Sequence, residues 1–286
     1  MKSITIKGML FAFILFLQTP FSYGGIISPK ELATIMDEEN VVIVSARSVE
    51  DYNKVHINGA VNIWHKDLYK EGEIIGLLKS PEEIAEILGS KGINEKNTIV
   101  VYDGGKVKFA GRLYWIFDYL GCDDVRLLDG QMKMWRKARK PVTKNATSIT
   151  PTTFHASPDA EAITSTEYVK GHLNDANVVI VDVRSKEEYD GEKGETERKG
   201  HIPGAIQFEF KILLNEDATI KSKEELEKLT KGAGITTDKE IILYCETSVR
   251  AGIVYLVLKD ILKFPKVRVY DDALYKWVAD PSNPVE

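Results

Sequence analysis

Cysteine is scarce in this sequence, with two residues in a chain of 286. Two thiols cannot build a disulfide framework, and alone they cannot supply the ligands of a zinc site. The five histidines show no spacing typical of metal ligands, so we predict no metal and no cofactor. Any special reactivity of a cysteine must therefore come from its local surroundings.

Excess positive charge and long apolar runs are also missing. The formal net charge is −5 and no basic stripe is present, which argues against a nucleic-acid partner. One apolar run, Met9–Leu17, lies near the N-terminus and is far shorter than the roughly 20 residues of a membrane span. Basic Met1–Lys7 precedes it, and small residues Ser22 and Gly24 suit a cleavage site. We predict a signal peptide over residues 1–24, a periplasmic or secreted mature protein, and no membrane attachment after cleavage.

The sequence does contain an internal repeat. Val41–Ser48 resembles Val178–Ser185, and His56–Ala60 resembles His201–Ala205. Three further matches share one constant offset: Ser80–Ile84 with Ser222–Leu226, Gly92 with Gly234, and Trp135 with Trp277. A repeat of this length indicates two duplicated domains.

Each copy alternates short β-branched runs with helical patterns. Thr98–Tyr102 and Ile241–Tyr244 have the continuous apolar character of buried parallel strands. Ser80 and Ser222 each precede a glutamate by three positions, which is the capping box of a helix start. The alternation predicts an α/β fold with a mostly parallel sheet flanked by helices in each domain. We place the domains at 25–142 and 164–286, joined by a Thr/Ser/Pro-rich linker over 143–163.

Four features of the second copy, in this order, carry a family resemblance: Asp182–Tyr189, Gly200–Ala205, the Cys245 loop and Trp277. They resemble the tandem-domain rhodaneses, which are thiosulfate and 3-mercaptopyruvate sulfurtransferases, over nearly the whole mature chain. The resemblance implies two rhodanese folds facing each other, with the active cysteine in the second. It also implies a small anionic sulfur donor, a persulfide on the cysteine, and a thiol, cyanide or protein as sulfur acceptor.

Cys245 follows a predicted strand, and the chain must turn into a helix within the next five residues. Backbone N–H groups in such a turn lack helical partners and can converge on the sulfur. Arg250 and the positive helix end would then favour a thiolate nucleophile. We predict Cys245 as catalytic and these residues as substrate-binding: Glu246, Thr247, Ser248, Val249, Arg250 and Arg198. The alternative is a buried small hydrophobe at a strand end.

Two other functions have to be weighed. Cysteine phosphatases also use a cysteine–arginine loop, but four residues separate Cys245 from Arg250 where phosphatases have five. The smaller loop favours a single added sulfur atom. A binding module that carries sulfur or docks a redox partner without turnover stays open, and so do the identities of donor and acceptor.

The first copy has Asp103 at the position of Cys245, and a carboxylate cannot carry a sulfane sulfur. We predict that this domain is catalytically silent; it either walls the cleft, as the resemblance implies, or only adds stability. Cys122 lies at a helix-to-strand junction and is predicted to pack in the core. A disulfide between Cys122 and Cys245 is the alternative in an oxidising compartment.

The sequence also departs from thiosulfate-active animal rhodaneses. Glu246 and Thr247 stand where those enzymes have basic residues, Glu188 where they have arginine, and Ser248 where glycine is usual. Arg198 is predicted to add a second positive group to the site, with a solvated surface charge as the alternative.

Two further pairs are assigned structural roles. Asp182 and Arg184 are predicted to form an ion pair at a strand end rather than a catalytic pair. His201 recurs as His56 in the silent copy, so both are predicted to support the following Gly-Ala turn.

Overall fold

The computed structural model describes residues 24–286, so the predicted signal peptide falls outside it apart from Gly24. The first half contains seven strands and five helices: β1 (Ile26–Ile27), α1 (Pro29–Ile35), β2 (Val41–Ser45), α2 (Val49–Lys54), β3 (His56–Ile57), β4 (Val61–Asn62), α3 (Pro81–Ser90), β5 (Thr98–Tyr102), α4 (Lys108–Tyr119), β6 (Asp124–Leu128), α5 (Gln131–Lys137) and β7 (Val142–Thr143). A 3-10 turn spans His65–Leu68.

The second half repeats this order with five strands and five helices: β8 (Ile163–Thr164), α6 (Thr166–Gly171), β9 (Val178–Asp182), α7 (Lys186–Tyr189), β10 (Ile206–Gln207), α8 (Lys223–Gly232), β11 (Glu240–Tyr244), α9 (Ala251–Leu256), β12 (Val267–Tyr270) and α10 (Ala273–Ala279). A 3-10 turn spans Phe210–Leu213, and a π-helical stretch, Val257–Ile261, continues α9. Across residues 24–286, no helix is both long and apolar enough to cross a membrane.

Each half is built on a five-stranded sheet in which every pairing is parallel. The strand orders are β1-β6-β5-β2-β4 and β8-β12-β11-β9-β10, which are the same order in the two copies. The central strands β5 and β11 are covered on both faces, which explains their unbroken apolar sequences. The predicted α/β fold with two parallel sheets is confirmed. A small antiparallel pair, β3 with β7, completes the first half.

Local sequence signals set the helix boundaries. The hydroxyl of Ser80 accepts the N–H of Glu83, whose carboxylate accepts the N–H of Ser80 in return; Ser222 and Glu225 repeat the same capping box. Both predicted helix starts are therefore confirmed. The bonds satisfy backbone donors in the first turns of α3 and α8, which occupy matching positions in the two halves.

Residues 143–163 follow the surface of the first domain. Thr147 donates a hydrogen bond to the carbonyl of Ala60, and the Trp115 indole donates to the carbonyl of Ala162. The segment has no helix, and β7 and β8 occupy only its ends. Its role as the boundary between the domains stays a prediction.

The two halves meet where α4 crosses α9. A Cβ placed on Gly252 would lie 2.2 Å from the Gly111 carbonyl oxygen, so both positions need glycine for the backbones to approach. One buried apolar cluster runs through the contact and contains residues of both sheets, such as Val101 and Leu243. Because α9 begins directly after the Cys245 loop, this crossing fixes the far end of that loop.

Candidate active site

Cys245 lies at the carboxyl end of the central strand β11. In open parallel sheets, sites form at this edge. The residue is 1% exposed, and its sulfur accepts the backbone N–H of Arg250 at 3.4 Å. Its carbonyl accepts the N–H of Leu274, which ties the strand end to α10. The loop therefore directs one backbone donor at the sulfur, whereas the turn in the sequence predicts that several converge on it.

Ser248 gives the loop its tight turn. Its φ is +56°, a conformation that glycine adopts easily and other residues seldom do. The Ser248 hydroxyl donates to the Tyr270 carbonyl at 2.5 Å, which holds the turn against the end of β12. The side chains of Ser248 and Val249 are both buried, so they pack inside the protein and not towards solvent. Their predicted contact with substrate would have to come from the backbone.

Thr247 packs against the first domain. A Cβ placed on Gly76 would lie 2.9 Å from the Thr247 Cβ, so the segment carrying Gly76 rests directly on the loop. Arg112 donates to the Gly76 carbonyl at 3.1 Å and to the Asp271 carboxylate at 2.7 Å. The first domain therefore contacts the cysteine loop.

Arg250 is held by two carboxylates. Its guanidinium makes a bidentate pair with Glu188, at 2.7 and 2.8 Å, and a further contact with Glu246 at 3.2 Å. Burial works to raise the pKa of Glu188, but Arg250 and the Ser185 cap outweigh it and lower that pKa to about 2. Glu246 also accepts the N–H of Glu195 at 3.1 Å. The positive charge of Arg250, which the sequence predicts to meet an anionic donor, is therefore offset by Glu188 and Glu246.

The structure does not bring Arg198 to the loop. Its guanidinium donates to the carbonyls of Val278, Asp280 and Asn283, at distances from 2.7 to 3.2 Å. These bonds hold the segment after α10 in place. The insertion that carries Arg198 reaches the C-terminal segment, which the local sequence pattern does not reveal.

The structural assignments fit their surroundings. Arg184 makes a buried bidentate pair with Asp182, which confirms the predicted ion pair. His201 stacks on Tyr189 and donates to its carbonyl, and His56 does the same with Tyr52. The histidines hold the preceding helices, and the tyrosine hydroxyls in turn bond the alanine of each Gly-Ala turn.

The loop of the first domain that aligns with the Cys245 loop forms an amide cradle, and its own carboxylate fills it. Asp103 accepts backbone N–H groups from four residues at 2.7 to 3.4 Å: Gly105, Val107, Phe109 and Ala110. Burial nonetheless raises the pKa of Asp103. The matching position in the second domain holds a thiol, so the two cradles are occupied by different side chains.

Cys122 and Cys245 are both free thiols. Cys122 packs at the edge of the main apolar cluster, as predicted, and burial together with Asp118, Glu95 and Asp123 raises its pKa. That thiol is therefore a weak nucleophile and a suitable internal control for reactivity.

A cavity of about 620 Å³ opens between the domains beside the loop. Its walls come from both halves of the chain: Gly105, Lys106, Lys108, Glu188, Glu209, Phe210, Lys211, Leu214, Asn215, Glu216, Ala218 and Arg250. Cys245 is not part of this lining, whereas Arg250, whose N–H meets the sulfur, is. The cavity therefore reaches the end of the loop at Arg250, and both domains contribute to its walls.

The model of the rhodanese-like domain matches residues 28–138 and again residues 165–280. The chain belongs to the rhodanese-like family. The thiosulfate sulfurtransferase of Azotobacter vinelandii is 29% identical over 91% of this chain and 96% of that protein. The matched segments place one rhodanese-like domain on each sheet.

Two solved structures superpose on most of this chain. The 3-mercaptopyruvate sulfurtransferase SseA of Escherichia coli superposes with a TM-score of 0.81 and 28% identity, covering 87% of this chain and 98% of that one. EanB, in a cysteine-persulfide form with ergothioneine, superposes with a TM-score of 0.83 and 26% identity, covering 92% of this chain and 70% of that one. This chain is a sulfurtransferase enzyme.

Sequence reasoning missed the groups that the first domain brings to the rhodanese-like site. No motif singles out Lys106, Lys108, Gly76 or Arg112, although the two lysines lie in the loop aligned with Cys245. The sequence marks Glu188 only as a departure from the animal rhodaneses. Its capping-box spacing from Ser185 fixes its side chain at the start of α7, and that was the one local signal available.

Proposed function

We propose that the protein transfers a sulfane sulfur from thiosulfate, 3-mercaptopyruvate or a related small anion through a persulfide on Cys245. The Cys245 thiolate attacks the outer sulfur of thiosulfate; a new S–S bond forms, the S–S bond of thiosulfate breaks, and sulfite leaves with the electron pair. With mercaptopyruvate, the thiolate attacks the donor's sulfur atom; the S–S bond forms as the C–S bond breaks, and the pyruvate enolate leaves with the electron pair and takes a proton. A thiolate or cyanide then attacks the outer persulfide sulfur and regenerates the Cys245 thiolate.

The observation that carries this proposal is the position of Cys245 at the end of β11, where the Arg250 N–H meets its sulfur. The counterpart loop in the first domain forms an amide cradle that holds a carboxylate through four backbone N–H groups. A cradle that accommodates an anion in one copy suits a thiolate or persulfide in the other. The names of the relatives, which include thiosulfate and mercaptopyruvate sulfurtransferases, support the same donors.

Intact-protein mass spectrometry tests the proposal. The reduced protein is incubated with thiosulfate, and separately with mercaptopyruvate, and is expected to gain the mass of one sulfur atom, which cyanide removes as thiocyanate. Cys122→Ser should gain the sulfur as the unchanged protein does, whereas Cys245→Ser should gain none. If neither donor adds sulfur to the folded protein, the non-enzymatic module that docks a sulfur carrier or redox partner is the better explanation.

We also propose that the protein is exported and works in the periplasm or outside the cell. The support is the basic, apolar and small-residue order of residues 1–24. N-terminal sequencing of the protein purified from its native cells should then begin at Gly25. A mature chain beginning at Met1 would contradict export by a cleaved signal.

A further inference from the structure

The cysteine loop itself offers little net positive charge to an anionic donor. Arg250 is paired with Glu188 and with Glu246, so these three side chains together carry a net negative charge. All three are largely buried, with side chains between 11% and 16% exposed, so bulk solvent screens the pairing only in part. A small dianion therefore needs positive charge from another part of the site.

The first domain supplies two lysines to the facing wall of the cavity. Lys106 and Lys108 line it, and neither ammonium has a carboxylate partner among residues 24–286. Lys211, which also lines the cavity, is paired with Glu209 at 3.1 Å. The free positive charge of the cavity thus lies on the silent domain.

Lys108 lies within electrostatic reach of the nucleophile. Burial lowers the pKa of Lys108, and the charges of Arg250 and Lys106 lower it further, while the Cys245 sulfur and Asp103 act in the opposite direction. Lys108 is half-buried, whereas Lys106 is exposed. Lys108 is accordingly the better placed of the two lysines.

The backbone of this loop is held in an unusual conformation. Val107, between the two lysines, has a φ of +62°, which is rare for a β-branched residue, and its side chain is fully buried. Its N–H donates to Asp103 at 3.0 Å. Strain of this kind persists only where the surroundings enforce it. The Asp103 cradle therefore fixes the points from which both lysines leave the loop.

We infer that Lys108, assisted by Lys106, is a specificity-determining residue that attracts the anionic sulfur donor to Cys245. The domain that lost the cysteine would thus supply the charge that the cysteine loop lacks. This inference rests on the proposed function for the identity of the anion, but the preference for an anion is a property of the cavity alone.

Alkylation of Cys245 measures that preference without requiring sulfur transfer. Iodoacetate carries a negative charge and iodoacetamide is a neutral analogue, and both lose iodide to the same thiolate. The ratio of their rate constants therefore cancels any change in the thiolate fraction and reports the local potential. The ratio is measured in a Cys122→Ser background by mass spectrometry.

Lys108→Gln should lower the iodoacetate-to-iodoacetamide ratio by roughly fivefold at low salt, which is the effect of one partly screened charge. Lys106→Gln should lower it less, and added salt should shrink both effects. The charge-matched control is Lys228→Gln on the exposed face of α8, which should leave the ratio unchanged. With thiosulfate, Lys108→Gln should raise KM more than it lowers kcat.

An unchanged ratio in Lys108→Gln, or an equal fall in Lys228→Gln, would overturn the inference. A fall specific to Lys108→Gln in a protein that gains no sulfur from any donor would refute the proposed function and leave the anion preference standing. Sulfur uptake with an unchanged ratio would do the reverse.

Discussion

At the scale of single residues, Glu188 has two roles in the site. Its carboxylate closes the capping box of α7 by accepting the Ser185 N–H, and it also forms the bidentate pair with Arg250. The first bond is local, and the serine–glutamate spacing in the sequence predicts it. The second joins residues far apart in the chain, and no local pattern encodes such a pairing.

The Glu188–Arg250 pair should make stability depend on pH in the acid range. The folded protein lowers the pKa of Glu188 to about 2 from an ordinary value of 4.5. The pair's contribution is therefore complete above about pH 4.5 and is lost as the pH falls towards 2. Glu188→Gln should be less stable than the unchanged protein at neutral pH, and the difference should shrink across that window.

Urea unfolding at a series of pH values measures this dependence. The exposed Glu86→Gln on α3 is the control and should follow the unchanged protein at every pH. A gap between Glu188→Gln and the unchanged protein that stayed constant from pH 4.5 to 2 would mean that Arg250 does not hold the carboxylate.

Individual elements were the most predictable part of the molecule. The apolar runs of β5 and β11 and the capping boxes of α3 and α8 follow from residues that are neighbours in sequence. The crossing of α4 and α9 does not, because Gly111 and Gly252 resemble any helical glycine until the partner helix is known. The Cys245 loop depends on both local sequence and long-range contact. Its start follows from the apolar sequence of β11, and its end is fixed by the crossing of α4 and α9.

Adding one methyl group at the crossing should separate α4 from α9. A Cβ on Gly111 would lie 2.6 Å from the Ile253 nitrogen, and a Cβ on Gly252 would lie 2.2 Å from the Gly111 oxygen. Each alanine variant should lose about 1–3 kcal/mol, the usual cost of overpacking, despite the better helix propensity of alanine. Gly252→Ala should also slow sulfur uptake, because α9 adjoins the cysteine loop.

Thermal unfolding compares these variants with Gly171→Ala. A Cβ at Gly171, the last residue of α6, meets nothing within 4 Å, so this alanine should be neutral or slightly stabilising. Equal unfolding midpoints for Gly111→Ala and Gly171→Ala would show that the helices can move apart at no cost.

Across the whole molecule, two rhodanese-like domains carry different side chains at matching positions. The second keeps the thiol, and the first fills its cradle with Asp103 and rests on the loop through Gly76. The repeat could be predicted from aligned residues within each domain, and the silence of the first copy stays a prediction. Contacts between the copies could not be predicted, because Arg112 and Asp271 are 159 residues apart and meet only across the interface.

Arg112 links the two domains near the Cys245 loop. Its side chain is fully buried, pairs with Asp271, and lies over the rings of Trp115 and Tyr69, while its Nε and Nη1 have no hydrogen-bond partner among residues 24–286. Asp271 also accepts the N–H of Leu78. Removing one member of such a buried pair strands the other charge, which costs about 3–5 kcal/mol.

A double-mutant cycle on this pair tests how the silent domain supports the active one. Arg112→Met should be strongly destabilised, because Asp271 then stays buried without a counter-ion. Arg112→Met combined with Asp271→Asn removes the stranded charge, so the double variant should be more stable in urea than Arg112→Met alone.

Sulfur uptake on Cys245 should nevertheless remain slow in the folded double variant, because Gly76 has lost the donor that holds it against Thr247. If the losses of stability in Arg112→Met alone and in Asp271→Asn alone simply add up to the loss in the double variant, the pair is not coupled. If uptake recovers together with stability, the first domain contributes only to stability, as the simpler alternative from the sequence holds.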